Sequence, residues 1–243
     1  MDIIAGNWGL NTPYQATPEH PTILYYGEFV DGATLDLIEA EYDPVRKSIV
    51  PRRMPEKVSE ALPDVRGRFA THKAFSVATM AEVLGSHQAA AHEVRATTLA
   101  SMVFLNRTNH FDEELLPPEA QFAPAFSVNV GDFDGDGYED IFLSQNFFAN
   151  QPEVPRYDAG RGLLLRGDGT GRFTAVPGQE SGIKVYGEQR GAAAGDFDQD
   201  GRLDLVVTQN GAATKLFRNV RAKPGLRVLL VGPPGNPGGM GAL

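Results

Sequence analysis

The chain has no cysteine, which excludes disulfides and thiolate metal sites and leaves the compartment open. It also lacks any apolar run of the ~18 residues that a membrane-spanning helix needs. Positive charge is in short supply. There are 22 Lys and Arg against 31 Asp and Glu, a net charge of −9. That balance argues against nucleic-acid binding and against simple attraction to an anionic membrane. No G-x-S-x-G, H-E-x-x-H or Walker loop occurs. The opening residues, MDIIAGNWGLN, carry neither the basic start nor the long apolar core of a signal peptide. What is plentiful is Gly (27) and Pro (17) in 243 residues. That is the composition of many turns between short strands, in a chain long enough for one large or two small domains.

One stretch organises the rest. Gly131–Asn146, GDFDGDGYEDIFLSQN, recurs 64 residues later as Gly195–Asn210, GDFDQDGRLDLVVTQN, with nine of sixteen positions identical. The shared pattern is D-x-D-x-D-G-x-x-D followed by a short apolar run. The carboxylates are Asp132, Asp134, Asp136 and Asp140 in the first copy and Asp196, Asp198, Asp200 and Asp204 in the second. Four carboxylates within nine residues repel one another unless a hard cation neutralises them. Ca²⁺ takes six to eight oxygens at about 2.3–2.6 Å. A loop folded on itself can offer side chains from positions 1, 3, 5 and 9 and the backbone carbonyl of position 7, here Tyr138 and Arg202. The glycine at position 6 (Gly137, Gly201) permits the sharp or left-handed turn.

An EF-hand loop would need Glu at position 12 and flanking helices. Position 12 is Leu143 or Val207, and the runs after Asp140 and Asp204 are β-branched and aromatic, the pattern of strands. The loop is therefore expected to join two strands. A metal-free hairpin rich in Asp and Gly is the competing reading, and two copies with one carboxylate spacing weaken it.

The motif, with D-[IL]-x-[LV]-[ST]-Q-N after it, resembles the FG-GAP or VCBS-type repeat of calcium-binding β-propellers, also found in integrin α-chain heads. The resemblance implies an all-β fold, a partial β-propeller of FG-GAP-type blades. Each repeat would be about one four-stranded blade, with Ca²⁺ in the loop between its first two strands, giving two sites. It also implies an extracytoplasmic setting (periplasmic, cell-surface or secreted).

Read in order, Asp2-Ile-Ile-Ala-Gly-Asn matches the tail of the motif, with Asp2 in the place of Asp140; the chain is thus expected to begin inside a repeat. Residues 23–42 read as a degenerate copy. Glu28, Val30, Gly32 and Asp36 stand at positions 1, 3, 5 and 9, a hairpin with little or no affinity for calcium. A helical insertion is expected over about 52–96, with Ser76 as an N-cap, Gly85 as a stop and a further helix over Ala89–Ala96. Its His72, His87 and His92 lack metal-ligand spacing. Thr98–Leu105 and His110–Leu116 read as an outer hairpin, and the intact blade spans roughly 124–182. Asp168-Gly-Thr-Gly is a strong turn signal, so Arg166-Gly167-Asp168 reads as a turn before it reads as an integrin-recognition tripeptide. Gly225–Gly232 is expected to form one more strand. Residues 226–243 resemble the opening of an ASPIC/UnbV domain, following propeller repeats over 1–225.

The expected role is non-enzymatic: a calcium-binding module of a larger extracytoplasmic protein, for adhesion, ligand binding or scaffolding. Its partner would be a protein or a glycan, with no nucleic acid and no membrane insertion, and the rest of the propeller would be contributed from outside this chain. A lectin-like propeller using Trp8, Tyr25, Tyr26, Phe147, Phe148 and Tyr186 is one alternative. A propeller-scaffold glycoside hydrolase or lyase, with Glu188 and Arg190 near a central site, is another.

Overall fold

A computed structural model describes residues 1–30, 34–149, 154–225 and 231–238. The chain forms two compact units, Thr12–Leu99 and a second built from Met1–Asn11 with Ala100–Leu243. Four antiparallel sheets run through them, none closed into a barrel among the described residues. No helix among these residues is long and apolar enough to cross a membrane.

The first strand, β1 (Ile3–Ala5), belongs to the larger unit. The whole of the smaller unit follows it in sequence. Here β2 (Thr22–Gly27), β3 (Asp36–Asp43), β4 (Ser48–Pro51) and β5 (His92–Ala96) form a sheet in the order β4-β3-β2-β5. Four short helices lie between β4 and β5: α1 (Pro55–Ala61), α2 (Val65–Arg68), α3 (His72–Ser76) and α4 (Met80–Leu84). Ile23, Ile38 and Ala40 from the sheet share one core with Val58, Leu62, Val65, Phe75, Met80 and Val83 from the helical stretch. The helices are too short to stand alone, and this burial sustains them. Two local expectations are corrected here. Ser76 ends α3 rather than capping a helix; the cap is Thr79, in a reciprocal capping box with Glu82. Residues 92–96 are not helical but strand β5, because their backbone pairs with β2, from Thr22↔Ala96 to Tyr26↔His92. Gly85 does stop α4, at φ 53°.

The larger unit resumes with β6 (Met102–Asn106), which pairs with β1, and β7 (Phe111–Leu115), giving the sheet β1-β6-β7. The 98–116 hairpin therefore joins the N-terminal strand rather than the 23–42 hairpin that precedes it. Next come β8 (Ala125–Gly131), β9 (Asp140–Gln145), β10 (Leu163–Gly167) and β11 (Phe173–Val176), one four-stranded meander. The short helix α5 (Gly178–Ser181) leads to β12 (Glu188–Gly195), β13 (Asp204–Asn210) and β14 (Ala212–Phe217), a three-stranded sheet. The further strand expected over Gly225–Gly232 and the ASPIC/UnbV-like segment fall largely on 226–230 and 239–243, outside the described residues.

Within this unit the middle sheet is covered on both faces. Successive side chains of a strand point to opposite faces, and β9 is buried at all six positions. Ile141 and Leu143 pack with Val103, Leu105 and Leu165, whereas Phe142 packs with Phe133, Val185, Leu205 and Val207. Sheets stacked face to face in this way are the packing of propeller blades.

Candidate metal centre

Each aspartate-rich loop closes between the first two strands of its sheet. The closing pair is the same each time: Gly131 faces Asp140, and Gly195 faces Asp204. Within the first loop, Asp132 folds the chain around its own carboxylate. Oδ1 accepts from the backbone N–H of Gly135 (2.7 Å) and Asp136 (3.1 Å), and Oδ2 from Gly137 (3.0 Å). Asp196 repeats the pattern with Asp200 (2.9 Å) and Gly201 (3.1 Å). Positions 4 and 6 are left-handed in both loops, Gly135 and Gly137 at φ 75° and 95°, Gln199 and Gly201 at 62° and 84°. Glycine adopts such backbone freely and glutamine does so at a cost.

This winding brings carboxylates together. One oxygen each from Asp132, Asp134 and Asp136 lie within 4.8 Å of one another, and so do oxygens from Asp196, Asp198 and Asp204. Two oxygens bound to one Ca²⁺ stand no more than roughly 5 Å apart, given ligand distances of about 2.3–2.6 Å. Three hard oxygen donors inside that limit fit the ion. Asp140 and Asp200 stand outside these two groups. The first aspartates of both loops, Asp132 and Asp196, line one cavity of about 370 Å³ with Gly135, Gly201 and Lys223.

Position nine has a structural task that the sequence pattern did not reveal. Asp140, 1 % exposed, accepts from Phe133 N–H through Oδ2 (2.9 Å) and from Gly167 N–H on β10 through Oδ1 (2.9 Å). Asp204 does the same with Phe197 (2.9 Å) and Asn219 (2.7 Å). Asp2, the expected counterpart of Asp140, accepts from Asn106 at the end of β6 (2.8 Å). In the smaller unit Asp36 accepts from Phe29 (3.1 Å) and pairs with Gly27. The ninth-position carboxylate thus ties its loop to the sheet, and Asp140 also holds the third strand β10, while Asp204 holds the chain just after β14. Burial raises the Asp140 pKa, its two backbone donors oppose that, and Asp134 and Asp136 push it further up.

Arginines stand against the loops. Arg166 places Nε 2.6 Å from Asp134 Oδ2. Arg218 pairs with Asp198 and reaches Asp200 at 3.4 Å, and Arg202 pairs with Asp200 at 2.9 Å. Partial burial opposes ionisation of Asp200, but Arg202, through side chain and backbone, outweighs it and holds the carboxyl below its ordinary range. The motif spacing points to Arg202 only through its backbone carbonyl, at position 7.

The remaining candidates are engaged in structure. Asp168 caps the turn after β10, accepting from Thr170 N–H (2.8 Å) and Oγ1 (2.7 Å). Arg166 of the same tripeptide is held by Asp134. Trp8 packs edge-on against Phe147 and Tyr157, and Arg156 lies over the Phe148 ring at 4.0 Å. His72 pairs with Glu56, His87 lies 3.8 Å from Asp64 and the His92 ring lies tilted against Tyr26, centroids 5.4 Å apart. These histidines form no metal-competent group among the described residues. Glu188 is 3 % exposed and accepts from Phe148 N–H (2.9 Å), Asn210 Nδ2 (2.7 Å) and Arg190. Burial pushes its pKa up, but the Phe148 N–H, Asn210 and Arg190 together hold it below the ordinary glutamate value.

Residues 148–207, about a quarter of the chain, match the FG-GAP-like repeat. That span runs from just after β9 through the second loop to the middle of β13, so the first loop lies outside it. No curated protein matches the chain. The repeat points to a propeller-like module of the binding or adhesion kind.

Proposed function

We propose that the chain is a calcium-binding propeller module of a larger extracytoplasmic protein, with a binding or adhesion role and no catalysis of its own. The observation that carries this reading is the pair of three-carboxylate groups whose oxygens converge within 4.8 Å at equivalent loops. Asp132, Asp134 and Asp136, with the Tyr138 carbonyl, would hold one ion. Asp196, Asp198 and Asp204, with the Arg202 carbonyl, would hold the other. Asp140 and Asp200 complete the sets: each Asp140 oxygen keeps a lone pair beyond the one its backbone donor uses, and Asp200 would turn from Arg202 and Arg218 to the ion. Bound calcium neutralises like charges and ties the loop. Stability then follows external calcium, and modules of that kind bind at about 10⁻⁴–10⁻³ M. The extracytoplasmic setting, a protein or glycan partner and the ASPIC/UnbV-like reading of 226–243 rest on sequence resemblance.

Glu188, the carboxyl considered for a glycosidase, is engaged as an acceptor for Phe148 N–H, Asn210 and Arg190, and its depressed pKa does not suit it to the protonated general-acid role. The test is calorimetric titration of the metal-stripped chain with Ca²⁺, alongside Asp134→Ala and Asp198→Ala. Two sites are expected, each lost with its own substitution. A folded protein that takes up no calcium at millimolar concentration overturns the reading.

A further inference from the structure

Arg166 and Arg218 occupy one structural position in two sheets. Each immediately precedes the residue whose N–H reaches the ninth-position aspartate, Gly167 on Asp140 and Asn219 on Asp204. Each places its Nε on the third-position aspartate of its own loop, Asp134 or Asp198. In the N-terminal sheet the residue before Asn106, which reaches Asp2, is Leu105. That sheet has no aspartate-rich loop in this chain. Arginine therefore stands at this position in the two sheets that carry the carboxylates.

A guanidinium is charged at every accessible pH and donates from a fixed fork. On Asp134 it takes lone pairs that a metal at the loop would need. We propose that Arg166 and Arg218 are resident counterions of the two loops: they hold the carboxylates together without metal, and Ca²⁺ must displace them to bind. This rests on the calcium reading above. The displaced Arg166 has a second acceptor ready, Glu180, at 3.5 Å. Both arginines also line one open groove of about 500 Å³, so neither is walled in. The arrangement lowers calcium affinity and makes the loops respond to calcium-rich surroundings rather than to trace metal.

The test compares wild-type, Arg166→Gln and Arg218→Gln proteins by Ca²⁺ calorimetry and by thermal unfolding without metal. Removing a partly exposed ion pair beside the site is expected to tighten calcium at its own loop about two- to tenfold. The other loop should not change, and the metal-free melting temperature should fall. If wild-type binds two ions and the variants bind them with unchanged or weaker affinity, the counterion role is overturned while the calcium reading stands. If wild-type binds none at millimolar calcium and the variants bind, calcium does not displace the arginines, and both the displacement and the calcium reading of the native chain are overturned. If no protein binds, both ideas fall. Should a variant not fold, the arginine Nε–H signals of the wild-type in ¹⁵N NMR give a second measurement. Two of them should shift as calcium is added, and signals that stay fixed through saturation overturn the proposal.

Discussion

Three hairpins of this chain close on the same pair, a glycine opposite an aspartate: Gly27–Asp36, Gly131–Asp140 and Gly195–Asp204. In all three a phenylalanine N–H donates to that aspartate. Only the two in the larger unit carry carboxylates at positions 1, 3 and 5; the first has Glu28 and an exposed Val30 at positions 1 and 3. The brace therefore occurs without the full carboxylate set in the first hairpin, whereas in the second loop of the larger unit the bracing Asp204 also belongs to the converging group. One motif contains a backbone device that any blade hairpin can use, and a charge cluster laid over it. The cluster needs compensation: Arg166 supplies it in one loop, Arg202 and Arg218 in the other.

The sharpest break of the comparison is at position nine. Asp140→Ala orphans two backbone donors, each worth about 1–3 kcal/mol when left unsatisfied. A loss of about 2–4 kcal/mol in urea unfolding is expected without calcium, and a larger one with calcium, because the loop also loses a ligand. Asp134→Ala should cost under about 1 kcal/mol without metal, as for a partly exposed ion pair, yet abolish calcium at its loop. Equal losses from the two would show that brace and ligands are one device.

Position four gives the next effect. In the first loop a Cβ on Gly135 would meet the Lys223 backbone N at 2.6 Å, on left-handed backbone. Gly135→Gln should therefore cost about 1–3 kcal/mol. In the second loop Gln199→Gly relieves the same left-handed strain and should gain about 0.5 kcal/mol, the loss of glycine entropy offsetting part of the relief. Opposite signs in thermal unfolding are the check.

The asparagine ending each motif separates the two sheets by pH. Asn146 donates to two carbonyls, Gly160 (2.9 Å) and Gly187 (3.0 Å), whereas Asn210 donates to ionised Glu188. The Glu188 pKa is depressed in the fold. Its contribution is therefore fully present above the unfolded value of about 4.5 and is lost as pH falls through the lower folded value. Glu188→Gln should cost about 1 kcal/mol at pH 7, a deficit that shrinks below about pH 4.5. Asn146→Ala should cost the same at both pH values. A pH-independent deficit for Glu188→Gln would contradict the ionised assignment.

Much of this was legible in the chain because the signals were local. Alternating apolar runs after Asp140 and Asp204, turn glycines and carboxylate spacing specify strands and loops within a few residues, and β9, β13 and both loops lie where that pattern puts them. Residues 92–96 were not legible, since HEVRA has weak local preference and β2 supplied its hydrogen bonds. Nor was the partner of the 98–116 hairpin, because β1 lies some 100 residues away in sequence and pairs with it all the same.

By itself the sequence determined the repeat, the all-β character and the carboxylates at positions 1, 3, 5 and 9 of its two copies, because spacing along a chain dictates what a tight turn can bring together; which three of each four converge was left to the fold. Only the tertiary structure decided that Asp140 braces β10 and Asp204 the segment just after β14, and that arginines from outside the loops sit on Asp134 and Asp198. It also decided that a complete unit, Thr12–Leu99, is inserted between two paired strands, β1 and β6. Those facts depend on partners distant in sequence. Their approach is set by which faces pack and which backbone donors would otherwise go unpaired, and no local pattern encodes either.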